Sequence, residues 1–166
     1  NIFSLSSLKI NWILMTFFFI FDFLSKIWVI NNLPLYETRI VIRNYIELLH
    51  VQNRGISFSL FSDLPDYIRI PFLVGVSLIA VVLMVFYQTR YWKEIDIYIR
   101  LGLVLVIPGA AGNLVDRFLY GYVTDFIHFR WHDNSFFVNN FADCFISFGV
   151  IFFIAHLFCQ KRTTIP

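Results

Sequence analysis

The chain has 166 residues, a formal net charge of +2 and a mean hydropathy of +0.70. Hydrophobic residues make up 58% of it and aromatic residues 20%, whereas only 14% of the residues are charged. Too few polar residues remain to cover a soluble domain of this size, so the composition indicates a membrane protein. The basic residues are scattered, which argues against nucleic-acid binding because a phosphate backbone requires a basic face or stripe.

Four apolar segments are each long enough to cross about 30 Å of hydrocarbon as a helix. They are residues 12–30, 70–87, 97–119 and 141–159. The first is too long for the apolar core of a signal peptide and no small-residue cleavage site follows it, so we expect a retained helix. The chain begins with Asn1 rather than Met, so we expect that a few residues or a tag have been lost there.

The third apolar segment differs from the others in its small residues. It contains Pro108 and the three glycines Gly102, Gly109 and Gly112. Glycines let a neighbouring helix approach closely, and a proline frees backbone carbonyl groups for other partners. We therefore predict an interior, kinked helix.

Lysine and arginine indicate the orientation of the chain in the membrane. They are densest in the N-terminal, central and C-terminal segments, at Lys9, Arg90, Lys93, Arg100, Lys161 and Arg162. By the positive-inside rule both termini are predicted to be cytoplasmic. Residues 31–69 and 120–140 would then form two outer connections.

The first outer connection is too long for a plain turn. Its residues 39–61, RIVIRNYIELLHVQNRGISFSLF, mix β-branched and aromatic residues with polar ones, which predicts two to four short strands lying at the membrane surface. No internal repeat is present, so we expect residues 1–166 to form one domain. The predicted fold class is a mainly α membrane protein with four transmembrane helices and a small extracytoplasmic β-sheet element in this connection.

Several polar residues lie within or beside the predicted spans and require an explanation. They are Asp22, Lys26, Asn113, Asp116, Arg117, Asp125, Asn140 and Asp143. Polar groups in hydrocarbon must find partners or face water. A set this large predicts a shared polar cavity, which under the orientation above would open to the outer side.

The first of these residues form two local pairs. Asp22 and Lys26 are four residues apart, so they either neutralise each other or help to organise the cavity. Asp116 and Arg117 are adjacent and point about 100° apart on a helix, so we expect them to have different partners. Asn113 lies three residues before Asp116 and shares its face.

Two aspartates flank the last predicted span. From the local sequence GYVTDFIHF alone, Asp125 is predicted to be a solvated loop residue, whereas Asp143 is predicted to lie in the first turn of the fourth helix. An acidic residue there could cap the helix, but Asn140 could take that duty instead. The two carboxyl groups lie on the same predicted side of the membrane, so they can meet.

A meeting of the two carboxyl groups would have a specific chemistry. Two such groups about 3 to 5 Å apart share one proton over a wide pH range. The ionised member can take a proton from a water that attacks an amide carbonyl, while the protonated member stabilises the oxyanion. Neither a cofactor nor a covalent intermediate is required.

A metal site is the alternative for this region, because His128 and His132 are four residues apart and three aspartates lie near them in sequence. The zinc-protease pattern needs Glu after the first histidine, and Phe129 stands there. His50 and His156 are predicted to lie on opposite sides of the membrane. We therefore expect no metal.

The cysteines carry little information. Cys144 and Cys159 would lie more than about 20 Å apart on one helix, so we expect no disulfide between them. Cys144 is expected to pack rather than to react.

Four stretches of the sequence together resemble the lipoprotein signal peptidase family, the type II signal peptidases of bacteria. They are Asp22 with Ser25 and Lys26, the run NRGISF at 53–58, GNLVDR at 112–117 followed by GYVTDF at 121–126, and NFAD at 140–143 with Ile146. Each stretch alone is weak. In this order, on a four-span chain of this length, they are specific and cover essentially the whole sequence.

The resemblance implies an intramembrane aspartyl protease whose catalytic pair is Asp125 and Asp143. Residues implied to line or support the site are Asp22, Lys26, Asn53, Gly55, Asn113, Asp116, Arg117 and Asn140. We also expect Arg117 or Lys26 to steady a lipid phosphate or a site carboxylate. The family usually has Ala at Ile56 and Phe at Asn139, so these two departures affect the expected shape of the substrate groove.

The implied substrate is a prolipoprotein whose cysteine already carries diacylglycerol, cut just before that cysteine. We expect a monomer in the bacterial inner membrane, in contact with lipid, with its active site toward the outer face. A proton-coupled transporter would also use buried carboxylates, but transporters usually repeat their helices and place charges near the midplane. In a non-enzymatic membrane adaptor, the free-energy cost of placing acidic residues within the membrane would have no functional explanation.

Overall fold

The computed structural model describes residues 5–55 and 63–163, with side chains for residues 8–55 and 63–159. Its helices are α1 (Leu5–Asn32), α2 (Asp66–Arg90), α3 (Ile97–Tyr120) and α4 (Phe141–Thr163), and its strands are β1 (Thr38–Ile42), β2 (Ile46–Asn53), β3 (Val123–Trp131) and β4 (Asn134–Asn139). The motif residues Ile56, Ser57 and Phe58, and the side chains of Lys161 and Arg162, lie outside the described part.

All four helices are long and apolar enough to cross a membrane. Each contains one predicted span, and three of them extend it by several residues; α1, for example, begins at Leu5 rather than at residue 12. Hydropathy marks only the part of a helix that suits hydrocarbon, whereas the hydrogen-bonded helix continues into its polar ends. The predicted fold class of four apolar helices with a small antiparallel sheet is confirmed.

Helix α3 is the interior helix of the bundle, as predicted. It packs against α1, α2 and α4 and carries ten buried residues in the range from Gly102 to Asp116. A Cβ atom on Gly109 would lie 2.6 Å from the carbonyl oxygen of Ala142, so the missing side chain allows α3 and α4 to pack closely. The helix runs continuously through Pro108, and the kink there remains a prediction.

The four strands form one antiparallel sheet in the order β1-β2-β3-β4. The first connection supplies β1 and β2, within the predicted range of two to four strands. The second connection supplies β3 and β4, which the sequence prediction lacked. Six consecutive residues of β3 are buried, so the alternation of polar and apolar residues that usually marks a strand is absent there.

The sheet packs on one end of the helix bundle, which we call the sheet end. Phe126 and Ile127 of β3 form a buried cluster with Val29 of α1 and with Leu33, which follows α1, and Phe141 of α4 packs against it. This packing holds β3 across the ends of α1 and α4. The polar residues of the site lie beneath that contact.

Candidate active site

Asp125 lies on β3 opposite Val51 of β2, and only 2% of it is exposed. Its carboxylate accepts hydrogen bonds from the side-chain amides of Asn53, at 2.9 Å, and Asn140, at 2.7 Å. The interpretation of Asp125 as a solvated loop residue is therefore wrong. Pairing of β3 with β2 brings this aspartate under the sheet, and no local pattern encodes that pairing.

Asp143 lies in the first turn of α4, and Asn140 takes the capping duty that was predicted for it. The backbone N–H of Asp143 donates to Oδ1 of Asn140 at 2.9 Å. The carboxylate of Asp143 is therefore available for another partner. Its Oδ1 accepts a hydrogen bond from the amide of Asn113 at 2.8 Å.

Two asparagines connect the two aspartates. Nδ2 of Asn140, which donates to Asp125, also donates to Oδ1 of Asn113 at 3.2 Å. Nδ2 of Asn113 in turn donates to Asp143. The chain of contacts is therefore Asp125, Asn140, Asn113, Asp143, which we call the amide relay.

Lys26 lies behind the relay with only 2% of it exposed. Its ammonium group forms ion pairs with Asp22 at 2.8 Å and Asp116 at 3.3 Å and donates to Oδ1 of Asn113 at 3.0 Å. Both interpretations of the Asp22–Lys26 pair hold, because the pair is neutralised and also organises the site. With three oxygen partners around it, the buried ammonium does not suit the expected contact with a lipid phosphate.

The two carboxylates paired with Lys26 also hold backbone groups. Oδ1 of Asp22 accepts from the backbone N–H of Ala142 at 2.8 Å, and Oδ2 of Asp116 accepts from that of Thr124 at 2.9 Å. A Cβ atom on Gly112 would collide with the carboxylate of Asp22. These contacts position α4 and β3, the two elements that carry the aspartates, against α1 and α3.

Arg117 has a different set of partners from Asp116, as predicted. Its Nη2 donates to the carbonyl oxygen of Gly55 at 3.0 Å, and the backbone N–H of Gly55 donates to Oδ1 of Asn53 at 3.1 Å. Arg117 and Asn53 therefore hold the chain just after β2 beside the site. All eight supporting residues implied by the resemblance thus lie in one hydrogen-bonded and ion-paired cluster with Asp125 and Asp143.

A cavity of about 440 Å³ opens beside this cluster. It is lined by helices α2, α3 and α4 and by residues at the ends of strands β2, β3 and β4, namely Asn53, Val76, Ser77, Ala80, Ala110, Asn113, Arg117, Val123, Asn139, Asp143, Ile146 and Ser147. Asp143 faces the cavity directly, whereas Asp125 reaches it through Asn53. The predicted polar cavity is present at the sheet end.

Sequence reasoning missed the α2 wall of this cavity and Ser147. Ser77 and Ala80 are small residues three apart in an otherwise bulky helix, and Ser147 lies four residues after Asp143. These spacings were the available signals, because residues three or four apart share one helix face.

Burial and the nearby charge of Asp143 raise the pKa of Asp125 from 3.8 to about 7. The amides of Asn53 and Asn140 oppose this shift but do not cancel it. Asp125 therefore tends to keep its proton near neutral pH. The two aspartates have different surroundings, which suits different roles in acid–base chemistry.

The histidines lie outside the cluster. His128 contacts Glu47 at 3.2 Å and Ser135 at 2.7 Å, and His50 contacts the carbonyl oxygen of Leu33 at 2.8 Å. Among the described residues, no group of three or more His, Cys, Asp and Glu side chains is arranged to hold a metal ion. Cys144 and Cys159 are both free thiols.

The sequence is similar to those of known signal peptidases. Residues 14–159 match the family model described as signal peptidase (SPase) II. The lipoprotein signal peptidase of Clostridioides difficile is 38% identical over 145 residues, which cover 86% of this chain and 90% of that protein. The lipoprotein signal peptidases of Clostridium tetani and Nostoc punctiforme are each 36% identical, covering 81% and 94% of this chain and 83% and 93% of theirs.

The fold is also similar to that of solved structures. A bacterial membrane enzyme determined by the in meso method at 2.3 Å resolution superposes with a TM-score of 0.82 at 23% identity, covering 95% of this chain and 92% of its own. A second such enzyme, at 1.9 Å resolution, superposes with a TM-score of 0.75 at 24% identity, covering 90% and 92%. With its four apolar helices, small sheet and near full-length matches, this chain belongs to the signal peptidase II family.

Proposed function

We propose that this protein removes signal peptides from prolipoproteins in the bacterial inner membrane, and that Asp125 and Asp143 activate the attacking water. The observation that carries this proposal is the amide relay, which joins two carboxyl groups of different burial at the wall of a cavity. Membership of the signal peptidase II family supports the reaction class.

The surroundings of the two aspartates suggest which one starts the reaction as acid and which as base. Asp125, whose pKa is about 7, holds the proton, and its two oxygens accept from Asn53 and Asn140. Asp143 is less buried than Asp125 and faces the cavity, where a water can bind, and its Oδ1 accepts an N–H from Asn113. Asp143 is therefore the base and Asp125 the acid.

The reaction then proceeds by general acid–base catalysis. Asp143 takes a proton from the water as the water oxygen attacks the carbonyl carbon of the scissile amide, while protonated Asp125 donates a hydrogen bond to the developing oxyanion. The roles then reverse, and the proton on Asp143 passes to the leaving nitrogen as the C–N bond breaks. Each turnover restores one proton to the pair.

The cavity suits a substrate that arrives from the membrane. A helical signal peptide has its backbone groups paired, so its scissile amide must be exposed in an extended segment within a water-containing cleft. The cavity of about 440 Å³ combines Asn53, Asn113 and Arg117 with apolar side chains of α2 and α4. We propose that the amide lies among the polar groups and that the diacylglyceryl chains of the substrate cysteine remain in lipid.

The orientation of the protein is also a proposal. The positive-inside rule places both termini in the cytoplasm, so the sheet end and its cavity lie toward the outer face. We propose that the protein acts as a monomer, since the relay and the cavity are built entirely from one chain.

Substitution of each aspartate tests the mechanism. Asp125→Asn and Asp143→Asn should each remain folded but lower kcat for a diacylglyceryl-modified prolipoprotein peptide in detergent by about 10²–10⁴-fold, because each removes one proton-transfer group. Asp133→Asn, at an exposed position between β3 and β4, is the matched control and should cleave at the wild-type rate.

Cleavage of the peptide at the wild-type rate by either variant would exclude Asp125 and Asp143 as the catalytic pair. The pH profile is a second measurement, because kcat/KM should fall above a pH of about 7 as Asp125 loses its proton. Loss of cleavage on adding a chelator would instead favour a metal-dependent reaction.

A further inference from the structure

Lys26 contacts neither aspartate of the proposed pair and does not line the cavity. We propose that Lys26 is a positioning residue that acts through Asn113: it fixes the direction of the Asn113 amide so that its N–H, and not its oxygen, faces Asp143, the water-activating carboxylate. This inference rests on the proposed function and adds how a residue outside the cavity keeps Asp143 able to accept a proton.

The argument starts from groups that can only donate hydrogen bonds. A lysine ammonium has donors and no acceptor, and a backbone N–H is likewise only a donor. Lys26 faces one oxygen of the relay, Oδ1 of Asn113, and the backbone N–H of Asp143 faces another, Oδ1 of Asn140. These two donors fix both asparagine side chains with their oxygens toward the donors.

The direction of every other hydrogen bond in the relay follows from these two contacts. With its Oδ1 directed at Asp143 N–H, Asn140 must present its Nδ2 to Asp125 and Asn113. With its Oδ1 directed at Lys26, Asn113 must present its Nδ2 to Asp143. Asp143 therefore always faces an N–H of Asn113 and never its amide oxygen.

The loss of Lys26 would weaken this arrangement. Only Asn140 would then hold Oδ1 of Asn113, and the Asn113 side chain could rotate to present that oxygen to Asp143. An oxygen facing a carboxyl group favours the protonated acid, because only the acid can donate. On the acid side of the pH profile, a larger fraction of the enzyme would then hold a proton on both aspartates, and that fraction could not accept one from water.

Other titratable groups also act on Asp143. They are Asp125 on β3, Arg117 on α3 and the thiol of Cys144 on α4 itself, whereas Asp116, Asp22 and Lys26 form the ion-paired group behind the relay. The cavity-lining residues of α2 are Val76, Ser77 and Ala80, none of which titrates. Of the basic side chains in the described part of the chain, Lys26 and Arg117 donate hydrogen bonds to Asn113, and only Lys26 donates to its side-chain oxygen.

A charge-balanced double variant tests the proposal and leaves only Asp116, of the two carboxylates paired with Lys26, as a buried charge without its partner. Lys26→Met with Asp22→Asn removes one positive and one negative group, and the amide oxygen introduced at position 22 can still accept from the backbone N–H of Ala142. With the diacylglyceryl-modified peptide in detergent, the acid limb of the kcat/KM profile should move up by about one pH unit, because a hydrogen bond to a charged group is lost. The loss of kcat/KM should be about tenfold on the acid side and should shrink toward pH 7.

Asn113→Leu provides the second test and leaves Lys26 paired with both carboxylates. It removes the donor to Asp143, so it should move the acid limb in the same direction by at least as much. If Lys26 acts through Asn113, combining Asn113→Leu with the Lys26 double variant should add no further shift. Gln88→Met, a buried change in α2 away from the site, is the control and should leave the pH profile in place.

Three results would overturn the inference. One is an unchanged acid limb in folded Lys26→Met with Asp22→Asn, the second is an unchanged acid limb in Asn113→Leu, and the third is shifts that add in the combined variant. If the Lys26 double variant does not fold, the pH profile of Asn113→Leu alone tests the inference. Cleavage by Asp143→Asn would instead show that the proposed function has failed.

Discussion

The two ends of the helix bundle both carry charged side chains, but they use them differently. At the end opposite the sheet, Asp96 caps α3 by accepting from the backbone N–H groups of Tyr98 and Ile99, at 2.7 and 3.1 Å. Arg100 donates to the carbonyl oxygens of Trp92 and Ile95 and stacks on the ring of Trp92. These side chains complete helix ends and turns.

At the sheet end, charged and amide side chains bind one another across α1, α3, α4 and β3. The exposure of the carboxylates differs accordingly, since the side chain of Asp96 is 38% exposed and that of Asp22 is fully buried. Burying charge is costly unless every group is paired. The comparison shows that a polar residue in a membrane helix need not indicate function; a buried network that leaves one carboxylate facing a cavity is the stronger signal.

Removal of one basic side chain from each end of the bundle should give the largest difference in stability. Lys26→Met leaves Asp22 and Asp116 buried without their partner, so the free energy of unfolding should fall by about 3–5 kcal/mol. Arg100→Met, at the opposite end, should cost about 1–2 kcal/mol because it removes hydrogen bonds to carbonyl oxygens and the contact with the Trp92 ring but no ion pair to a buried carboxylate. Chemical unfolding in detergent measures both, and equal losses would contradict the distinction between the two ends.

The pH dependence of stability should also be specific to the sheet end. The pKa of Asp125 is about 7 in the folded protein and 3.8 ordinarily. Between these values the folded state holds a proton that the unfolded state lacks, so this group's contribution is present at low pH and is lost as pH rises toward 7. From pH 5 to pH 8 it should lower the free energy of unfolding by about 2–3 kcal/mol.

Asp125→Asn removes this titration. Its stability relative to wild type should therefore increase by the same amount between pH 5 and pH 8, as measured by unfolding at both pH values. Asp133→Asn serves as the control, and its stability relative to wild type should not change with pH in the same way. A pH-independent difference for Asp125→Asn would show that Asp125 is ionised throughout.

Glycine substitutions compare a packed and an open position. Gly112→Ala places a methyl group against the Asp22 carboxylate and should cost about 1–3 kcal/mol, with reduced cleavage, because it displaces a member of the network. Gly75→Ala meets no atom within 4 Å and should be neutral or stabilising by up to about 1 kcal/mol through helix propensity. Thermal unfolding and the cleavage assay separate the two, and tolerance of Gly112→Ala in both would contradict the close packing.

The helix caps should show the smallest difference in stability but a clear one in activity. Asp96→Ala and Asn140→Ala each remove a cap and should each cost about 1 kcal/mol or somewhat more. Cleavage should be unchanged in Asp96→Ala but at least about tenfold lower in Asn140→Ala, because Asn140 also belongs to the relay. Equal activity of the two variants would show that the relay is only structural.

Features that depend on a single helix could be predicted from the sequence. The four spans follow from length and hydropathy because a helix satisfies its own backbone hydrogen bonds in lipid. The Asp22–Lys26 pair and the Asn140 cap involve residues three or four apart, so their contacts follow from helix geometry. The residues of the candidate site were collected by family resemblance, which needs no knowledge of their contacts.

Only the tertiary structure decided how these residues meet. Lys26 and Asn113 are 87 positions apart, and Asn53 and Asp125 are 72 apart, so no local pattern could pair them. The placement of Asp125 in a buried strand depends on β3 pairing with β2 from another connection. The sequence by itself determined which polar groups must leave the lipid, whereas the packing of sheet on helices decided which partner each one found, because hydrogen bonds between distant segments form only when the whole chain folds.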